Sequence, residues 1–403
     1  MSQTVITLNS GSSSIKFALY SAEKISHRIS LLCQGEFEGI PNTLHFSAHD
    51  AHGTLEDKMI EENPNFQTAL SYLLKWVNVT FPQLTLSAAG HRIVHGGERY
   101  TESVIINQDV LSYLETLSPL APLHQPHNLE GVRTLQALHP TLPQIACFDT
   151  SFHHTNPRLA TIFALPSPFW EEGIRRFGFH GLSYRYIAET LPKLIGDKAL
   201  GRVIVAHLGH GASMCAIKGL KSIATTMGLT ALDGLPMGTR CGNIDPGVLL
   251  YLSSEKGYST QELSDLLYKK SGLLGLSGVS SDMKELLQSK TPQATEAINY
   301  FCYQVRRQLA SLVPALEGLD IIVFTGGIGE NAWQVRQKVC DGLKWLNVEL
   351  DKELNTSFRP PAAARISTLE SKIAVWIIPT NEEIVIVQDV FKLIQGEKNN
   401  GTL

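Results

Sequence analysis

The residues of this 403-residue sequence that could do chemistry are cations, an amide and a carboxylate placed beside turns of small residues. Asn9 and Lys16 flank a Gly/Ser-rich loop, and Arg92 and Arg240 lie among glycine, histidine and apolar residues. Asp149 lies in the segment Phe-Asp-Thr-Ser-Phe-His-His. Polyphosphate chemistry needs cations near the transferring group and a carboxylate or amide that holds magnesium. An isolated arginine is usually a solvated surface charge. Glycine, histidine and apolar neighbours are poor surroundings for a merely solvated side chain, so the pattern around Arg92 and Arg240 favours a polyphosphate site.

Histidine is concentrated in the middle of the chain, where 10 of the 14 histidines lie between His91 and His210. His91 and His95 have the i, i+4 spacing of a helical metal-binding pair, but no Glu follows His91 and a Gly-Gly pair after His95 argues against a helix. We therefore do not expect this pair to bind metal. His180 and His207 are better candidates for donating hydrogen bonds to developing charge. The alternative for either is a hydrogen-bonded core histidine.

Strand-length apolar runs alternate with helix-length amphipathic stretches, which predicts an α/β fold. The predicted buried strands are residues 5–8, 203–206, 321–324 and 374–378. The predicted helices are residues 65–76, 129–137, 183–191, 260–269, 291–316 and 331–343. Ser183 is the predicted N-cap of its helix.

Residues 5–19 can be laid over residues 203–217 at a constant offset, which places Gly11 on Gly209. Both segments read as a strand, a turn of small polar residues and a second strand. Such turns expose backbone N–H groups and can form anion-binding nests. Any β-hairpin has small residues in its turn, but the spacing is near half the chain and fits two similar domains.

A third glycine-rich turn, residues 324–331, follows a predicted strand and precedes a predicted helix. Three such turns suggest one large polyphosphate ligand, although a single glycine-rich loop is as often a plain turn. The sequence contains no GxxxxGK[ST] motif, which excludes a P-loop nucleotide site. It also lacks a GxGxxG turn in a first βαβ unit, which disfavours a dinucleotide dehydrogenase.

Composition narrows the class of protein. The 34 Lys and Arg residues against 38 Asp and Glu residues give a formal net charge of −4, and 43% of residues are hydrophobic. The length implies about two domains, and the absence of a basic block argues against a nucleic-acid partner. No signal peptide and no apolar run of bilayer length are present, so we expect a soluble protein. The six scattered cysteines suggest neither zinc nor disulfides and fit a cytoplasmic location.

Taken together, the motifs resemble the acetate kinases and the closely related propionate kinases, within the actin, sugar kinase and Hsp70 superfamily. The resemblance covers nearly the whole chain in the expected order. Its motifs are residues 9–16, 90–97, 121–124, 148–150, 179–181, 207–209, 237–240, 324–331 and 379–383.

The resemblance implies roles for individual residues. The catalytic residues would be Asp149, His180 and Arg240, while Arg92 would bind the carboxylate substrate and Val94, Leu123 and Phe179 would line its alkyl pocket. Mg²⁺, with Mn²⁺ as an alternative, would be held by Asn9 and Glu382, for which Glu383 is the alternative. The ATP-binding residues would be Lys16, His207, Leu208, Gly209, His210, Gly211, Asp282, Met283, Lys284, Gly327, Ile328, Gly329, Glu330 and Asn331.

The implied reaction is reversible transfer of the phosphoryl group of ATP to acetate, giving acetyl phosphate and ADP by in-line transfer. A carboxylate with a reference pKa of about 4 to 5 is already the nucleophile at neutral pH and needs no base. Asp149 is therefore expected to orient Mg²⁺ or its waters. Arg240 and the other cations are expected to supply most of the catalysis.

Five positions depart from the family pattern. The residues found there are Leu182, Tyr184, His210, Ala231 and Lys284. None removes a core catalytic group, so they bear on affinity and specificity. Ala231 stands where the family usually has Pro and leaves room for a longer acid, whereas Val94 favours acetate.

The fold implied by the resemblance is two duplicated ribonuclease-H-like, actin-like ATPase domains with a nucleotide cleft between them, forming a homodimer. We place the first domain at residues 1–150, rejoined by a C-terminal helix near 385–403, and the second at residues 151–384. Three other functions are considered: a propionate kinase, a non-catalytic ATP-binding switch and a sugar kinase. A switch has no use for Arg92, and a sugar kinase would need a polar pocket in place of Val94, Leu123 and Phe179.

Overall fold

The computed structural model describes residues 3–22 and 29–400, with side chains as far as residue 396. These residues form two compact units. The first comprises Met1–Ser151 together with Asn381–Leu403, and the second comprises Phe152–Thr380. Each unit is built on its own β-sheet.

The strands of the first unit are β1 (Gln3–Ser10), β2 (Ser14–Ala22), β3 (Ile29–Glu38), β4 (His45–Asp50), β5 (Gly53–Met59), β6 (Leu86–Ile93), β7 (Val104–Ile105) and β8 (Gln144–Phe148). Those of the second unit are β9 (Arg202–Leu208), β10 (Ala212–Lys218), β11 (Lys221–Thr225), β12 (Ile321–Thr325), β13 (Ala364–Arg365) and β14 (Ala374–Ile377). The sheet orders are β5-β4-β3-β2-β1-β6-β8-β7 and β11-β10-β9-β12-β14-β13.

The helices cover the sheets and connect their strands. They are α1 (Phe66–Thr80), α2 (Gln108–Thr116), α3 (Gln125–Leu138), α4 (Arg158–Thr161), α5 (Ser167–Glu171), α6 (Gly181–Ile195), α7 (Pro246–Ser254), α8 (Thr260–Lys269), α9 (Gly272–Ser277), α10 (Met283–Gln288), α11 (Pro292–Leu316), α12 (Gly326–Asn331), α13 (Trp333–Asp341), α14 (Lys352–Ser357) and α15 (Glu382–Asn400). Short 3₁₀ helices occupy Ser118–Leu120, Ser151–Thr155, Gly196–Leu200 and Lys344–Leu346.

The same five-stranded core occurs in both units. In the first, β3, β2 and β1 pair antiparallel, and β1, β6 and β8 pair parallel. In the second, β11, β10 and β9 pair antiparallel, and β9, β12 and β14 pair parallel. The predicted α/β fold of two related halves is confirmed by this shared order and direction. The four predicted buried strands are also confirmed, as parts of β1, β9, β12 and β14.

The repeated hairpins match most closely along their first strands. Ser10 pairs with Ile15 in the first hairpin, whereas Leu208 pairs with Ala212 in the second. The second turn is therefore one residue shorter than the first. Asn9 and His207 occupy equivalent positions, each being the second-to-last residue of the strand before its turn.

Local sequence explains several helix boundaries. The Asn65 side chain accepts a hydrogen bond from the Thr68 backbone (2.8 Å) and caps α1, whose apolar face is buried. Ser259 and Glu262 form a reciprocal capping box at the start of α8. The predicted helices at residues 65–76, 129–137, 260–269 and 291–316 are found within one to four residues of their ends.

Three expectations about helix ends are corrected. Ser183 is not an N-cap, because α6 begins at Gly181 and His180 precedes it with φ 58° and ψ 25°. The helix predicted at residues 331–343 is found as α13, which begins at Trp333 and ends at Asp341, while residue 331 ends the separate α12 and the backbone of Ala332 between them is not helical. The last helix begins at Glu382, not near residue 385, and residues 401–403 of that prediction lie outside the described residues.

Three other expectations bear on the class of protein. His91 lies on β6 and His95 just after its end, so the pair is not helical. Within the described part of the chain, no helix combines the length and apolarity needed to cross a bilayer. The described cysteines are thiols, and all but Cys241 are buried.

Candidate active site

One pocket of the first unit is lined by Asn9, Lys16, Arg92, Glu382 and Glu383. These residues come from the end of β1, the start of β2, the end of β6 and the first turn of α15. Carboxyl ends of neighbouring parallel strands meet at one sheet edge, which is where α/β folds place their ligand sites. The structure thus brings together the residues assigned from the sequence to metal, substrate and nucleotide.

Arg92 is held by two carboxylates. Its Nε and Nη2 atoms donate hydrogen bonds to Oδ1 and Oδ2 of Asp149 at 3.0 and 2.7 Å, and Nε lies 3.5 Å from Oε2 of Glu382. Burial opposes the charge, but the carboxylates outweigh it and hold the pKa of the guanidinium above its ordinary value. The Arg92 side chain keeps one-fifth of its surface exposed, whereas Asp149 is almost fully buried.

Glu382 is a carboxyl whose charge state depends on its surroundings. Burial raises its pKa to about 7, with Arg92 opposing the shift and Asp149 and Glu383 adding to it. A cation beside it would favour the ionised form. Glu382 is therefore suited to receiving a positively charged ligand.

The donor atoms of this pocket fit Mg²⁺. No group of three or more His, Cys, Asp or Glu residues suited to a metal is found among residues 3–22 and 29–396. Mg²⁺ usually keeps several waters and binds through one or two protein oxygens plus substrate phosphates. Asn9 and Glu382 supply an amide oxygen and a carboxylate oxygen in the same pocket.

Lys16 and Asn9 are direct cross-strand partners on β2 and β1. The Lys16 side chain is largely exposed, with its Nζ 3.6 Å from Oε2 of Glu36. An exposed ion pair of this length contributes little to stability, so Lys16 can turn to an incoming anion at small cost.

Two buried polar residues of α3 position the segment that follows β6, and sequence reasoning missed both. Asn128 accepts a hydrogen bond from the Val94 backbone (3.0 Å) and donates one to the Ser10 carbonyl (2.6 Å). Gln125 accepts from the His95 backbone and donates to its carbonyl. The available signal was polar residues on the helix face that also carries Leu129, which is buried.

The predicted alkyl-pocket residues are divided between the units. Val94 is buried after β6, and Leu123 is half-buried in the turn before α3, both in the first unit. Phe179 is buried in the second unit, where its carbonyl lies 3.0 Å from Nε2 of His153. Ala231, also in the second unit, is buried.

His180 and His207 form a stacked pair of imidazoles in the second unit, with ring centroids 4.3 Å apart and planes 19° apart. Nδ1 of His180 lies 2.8 Å from Oγ of Ser213, and Nδ1 of His207 lies 2.9 Å from Oγ of Ser183. Both rings are therefore held on their Nδ1 side by buried serine hydroxyls. Leu182, beside them, is buried.

The turn between β9 and β10 lies against these rings. A Cβ atom built on Gly211 would lie 3.1 Å from Nε2 of His180, and one on Gly209 would lie 3.7 Å from Nε2 of His207. A side chain at position 211 would therefore require the His180 ring to shift by a few tenths of an ångström. The Nε2 atoms of both histidines thus face the predicted phosphate-binding turn.

Arg240 is buried in the second unit, and its Nη1 donates a hydrogen bond to the Ala231 carbonyl (3.0 Å). The His210 carbonyl accepts from the Gly238 backbone (3.1 Å), which brings the predicted turn beside the Arg240 segment. Partial burial and the charge of Arg240 lower the pKa of His210, while Asp282 opposes the shift.

The other predicted nucleotide segments have local structural roles as well. Asp282 caps α10 by accepting a hydrogen bond from the Lys284 backbone (2.7 Å), and Met283 is buried. The cap fixes the backbone of Asp282 and Lys284, and the Lys284 side chain is exposed.

In α12, Oε1 of Glu330 accepts hydrogen bonds from the backbone of Gly326 (2.8 Å) and Thr380 (3.1 Å). Burial raises the pKa of Glu330, and these two bonds oppose the shift. The side chain of Asn331 donates to the Gly327 carbonyl. The side chains of Glu330 and Asn331 therefore shape the turn, in which Gly327 is exposed.

A buried arginine that sequence reasoning missed secures this turn. Arg336 donates hydrogen bonds to the carbonyls of Gly329 (2.9 Å) and Glu330 (2.8 Å) and to both oxygens of Asn355. Burial lowers its pKa to about 10. It satisfies carbonyl groups at the end of α12 that the helix leaves without an internal partner.

Comparison with known proteins identifies relatives of this chain by sequence and by structure. The model of the acetokinase family matches residues 4–388. The acetate kinase of Rhodopseudomonas palustris is 51% identical over 398 residues, covering 98% of this chain and all of the relative, and that of Methylocella silvestris is 48% identical over 402 residues.

Solved structures agree with these sequence matches. The acetate kinase of Porphyromonas gingivalis superposes with a TM-score of 0.85 at 36% identity, over 97% of this chain and 100% of that one. A propionate kinase from Francisella tularensis superposes with a TM-score of 0.88 at 37% identity, over 96% and 98% of the two chains.

Proposed function

The chain belongs to the acetokinase family and has its duplicated actin-like ATPase fold, and from this premise we propose that it transfers the phosphoryl group of ATP reversibly to acetate. The products are acetyl phosphate and ADP. The observation that carries the proposal is the pocket shared by Asn9, Lys16, Arg92 and Glu382. It combines a carboxylate-binding cation, a phosphate-binding cation and oxygen ligands for Mg²⁺.

The proposed chemistry needs positioning and charge stabilisation more than proton transfer. Acetate is already ionised at neutral pH and attacks without a base. Arg92 holds its carboxylate, and Asp149 fixes the guanidinium through two hydrogen bonds. His180 and Arg240 donate to the oxygens of the transferring phosphoryl group, where negative charge is spread.

Mg²⁺ held by Asn9 and Glu382, or Mn²⁺ in its place, would neutralise the charge of the ATP phosphates when bound. The backbone of the Gly209–Gly211 turn and of α12, with Lys16 and Lys284, would hold ATP. Turns with exposed N–H groups are suited to phosphate, and lysine contributes a point charge.

The test is a hydroxamate assay for acyl phosphate with ATP, Mg²⁺ and acetate. We expect acetyl hydroxamate to form in proportion to ADP. ATP turnover without acyl phosphate would favour the nucleotide-switch alternative, and turnover that depends on a sugar would favour a sugar kinase. Replacing acetate by propionate addresses the second candidate acid, which the buried Ala231 and the likeness to a propionate kinase both favour.

We further propose that two copies of the chain form a homodimer through the surface that includes α7. No α7 side chain is buried, although Val248, Leu250 and Tyr251 lie on it, and Leu250 is 71% exposed. Ile244 and Tyr300 line one nearby pocket of the same unit and are also exposed. Contiguous exposed apolar side chains mark association surfaces.

Light scattering at several concentrations tests the assembly. The wild type should have twice the mass of the chain, 44.3 kDa, and Leu250→Glu should shift it to the monomer. Leu369→Glu is the matched control, because Leu369 is also strongly exposed but lies outside this surface. A monomeric wild type, or a dimeric Leu250→Glu, would contradict the assignment.

We also propose that the two compact units are the two duplicated domains and that the protein is cytoplasmic. The repeated strand order supports the first assignment. Buried thiols, with burial raising the pKa of Cys215 to about 12, suit a reducing compartment in which they stay unreactive.

A further inference from the structure

A hydroxyl chain behind His180 stands out among the groups that the proposed reaction does not use. Oγ of Ser213 lies 2.8 Å from Nδ1 of His180 and 2.5 Å from the hydroxyl of Tyr184. All three side chains are buried, and Ser213 and Tyr184 completely so. Ser213 is on β10. His180 is the N-cap of α6, and Tyr184 lies on the first turn of that helix.

The groups themselves allow an assignment of donors and acceptors along the three side chains. A serine hydroxyl has one proton, and a neutral imidazole has one donor and one acceptor nitrogen. If Ser213 donates to Nδ1 of His180, its oxygen is left to accept the proton of Tyr184. The His180 proton then resides on Nε2, the nitrogen that faces the Gly211 turn.

The stacked neighbour also bears on the charge of the two imidazole rings. The ring of His207 lies 4.3 Å from that of His180, centroid to centroid. Two positive charges at this distance in a buried setting would repel strongly, so the stack favours at least one neutral ring. His207 is held in the same way, with its Nδ1 2.9 Å from Oγ of Ser183.

The backbone of His180 is also held in an unusual conformation. Its φ of 58° and ψ of 25° place a non-glycine residue in the left-handed region. Such a conformation is strained and persists where the surrounding structure enforces it, commonly at functional sites. The hydrogen bond from Ser213 helps to fix the imidazole ring of His180 in the position that this backbone conformation gives it.

We propose that Ser213 and Tyr184 are positioning residues that hold His180 as the neutral Nε2–H tautomer, ready to donate to the transferring phosphoryl group. This inference rests on the proposed function, because it assigns His180 a role in phosphoryl transfer. No covalent bond forms or breaks at either hydroxyl. Their contribution is to orient one hydrogen-bond donor before the substrate arrives.

The experiment measures kcat and KM of acetyl phosphate formation in four variants. Ser213→Ala removes the hydroxyl that contacts His180, and Tyr184→Phe removes only the outer donor while keeping the ring. Ser213→Thr restores a hydroxyl. Ser371→Ala is the matched control, because the buried Ser371 hydroxyl also has two close partners, the Ile373 carbonyl (2.7 Å) and the Glu349 backbone (3.0 Å).

We expect Ser213→Ala to lower kcat roughly tenfold or more with KM for ATP and acetate nearly unchanged, since a misdirected donor affects the transition state. Tyr184→Phe should lower kcat by a smaller factor. Ser213→Thr should recover most of the loss, and Ser371→Ala should stay near wild type. If Ser213→Ala does not fold, Tyr184→Phe carries the test, because it preserves packing.

The result that overturns the inference is a wild-type kcat in both Ser213→Ala and Tyr184→Phe, or equal losses in Ser213→Ala and Ser371→Ala. A His180→Ala background separates an effect of Ser213 that acts through His180 from any other effect of Ser213 on kcat. There, Ser213→Ala should have no further effect on kcat, and an additive loss would contradict the positioning role. The proposed function itself is tested on the wild type alone, and a wild-type protein that makes no acyl phosphate would refute it.

Discussion

Arg92 and Asp149, 57 positions apart in the chain, form an ion pair with two hydrogen bonds, Nε to Oδ1 at 3.0 Å and Nη2 to Oδ2 at 2.7 Å. Both carboxylate oxygens are engaged by one guanidinium, and Asp149 is almost fully buried. This geometry favours a different role for Asp149 from the one expected from sequence. We expect it to act first by orienting Arg92, and only through Arg92 on the substrate.

Asp149→Asn should lower kcat/KM for acetate by roughly 10², because an amide cannot accept two charge-assisted hydrogen bonds and a misplaced Arg92 holds acetate poorly. KM for ATP should change far less. Steady-state kinetics with each substrate varied in turn would show this split. Asp320→Asn is the matched control, since Asp320 also binds an arginine, Arg202, through two hydrogen bonds. An unchanged acetate kcat/KM in Asp149→Asn would contradict the role.

Arg240→Ala should lower kcat by roughly 10² or more, the size expected when one transition-state donor is removed. Arg240→Lys should keep part of the activity, because it keeps the charge without the planar fork. Initial rates at saturating ATP and acetate measure the effect. Arg202→Ala, which removes an arginine from an ion pair elsewhere in the same unit, should leave kcat near wild type. A kcat near wild type in Arg240→Ala would reject its assignment.

Stability should fall as the pH drops from about 6.5 toward 4, and His91 should account for part of the loss. Burial lowers the pKa of His91 from 6.5 to about 4, and the hydrogen bond with Gln144 opposes the shift. The fold thus favours the neutral ring. Its contribution is complete above the unfolded pKa of 6.5 and is lost at about 1.4 kcal/mol per pH unit down to the folded pKa.

Urea unfolding midpoints at several pH values between 4 and 7.5 test this assignment. His91→Gln should show a shallower decline than wild type over the window from 6.5 to 4. His127→Gln, at a half-buried histidine of the same unit, is the comparison variant. Parallel curves for wild type and His91→Gln would show that another group is responsible.

Val94→Ala should shift the acid preference from acetate toward propionate. Val94 is buried two residues after Arg92, and a freed methylene-sized space is worth about 1 to 3 kcal/mol of discrimination. The measurement is the ratio of kcat/KM for acetate, propionate and butyrate. Val132→Ala, a buried valine of α3, controls for general loss of packing. An unchanged ratio would remove Val94 from the alkyl pocket.

Arg336→Lys should raise KM for ATP more than KM for acetate. Arg336 makes four hydrogen bonds from three nitrogens, whereas a lysine has only three N–H donors on a single nitrogen, so α12 should lose its fixed end. Thermal unfolding measured in parallel separates this from general destabilisation. Arg306→Lys, a neighbouring arginine on α11, is the control variant. Equal increases in both KM values would point to a global effect.

The sequence predicted the elements whose signal is local. Strands β1, β9, β12 and β14 were found because continuous apolar runs mark buried strands. The short helix α12, within the turn predicted at residues 324–331, was missed because its segment is rich in glycine, which disfavours helices. Ser183 was taken as a cap by residue type, but its hydroxyl is bound to His207 from the adjacent strand.

The missed site residues have a common physical reason. Asn128 and Gln125 act through bonds to backbone groups far away in sequence, and Arg336 joins the end of α12 to Asn355, so only the tertiary fold brings these partners together. Residue type gives no hint of such partners. The motif residues themselves were identified because a turn of small residues is visible from sequence alone.

The matching positions of Asn9 and His207 suggest how the two halves diverged. Both precede the turn of a hairpin that is otherwise built alike, yet one offers an oxygen ligand and the other an imidazole. The codons of asparagine and histidine differ only in their first base. A single base change therefore separates the codon for the amide at this step of the first hairpin from the codon for the imidazole at the same step of the second.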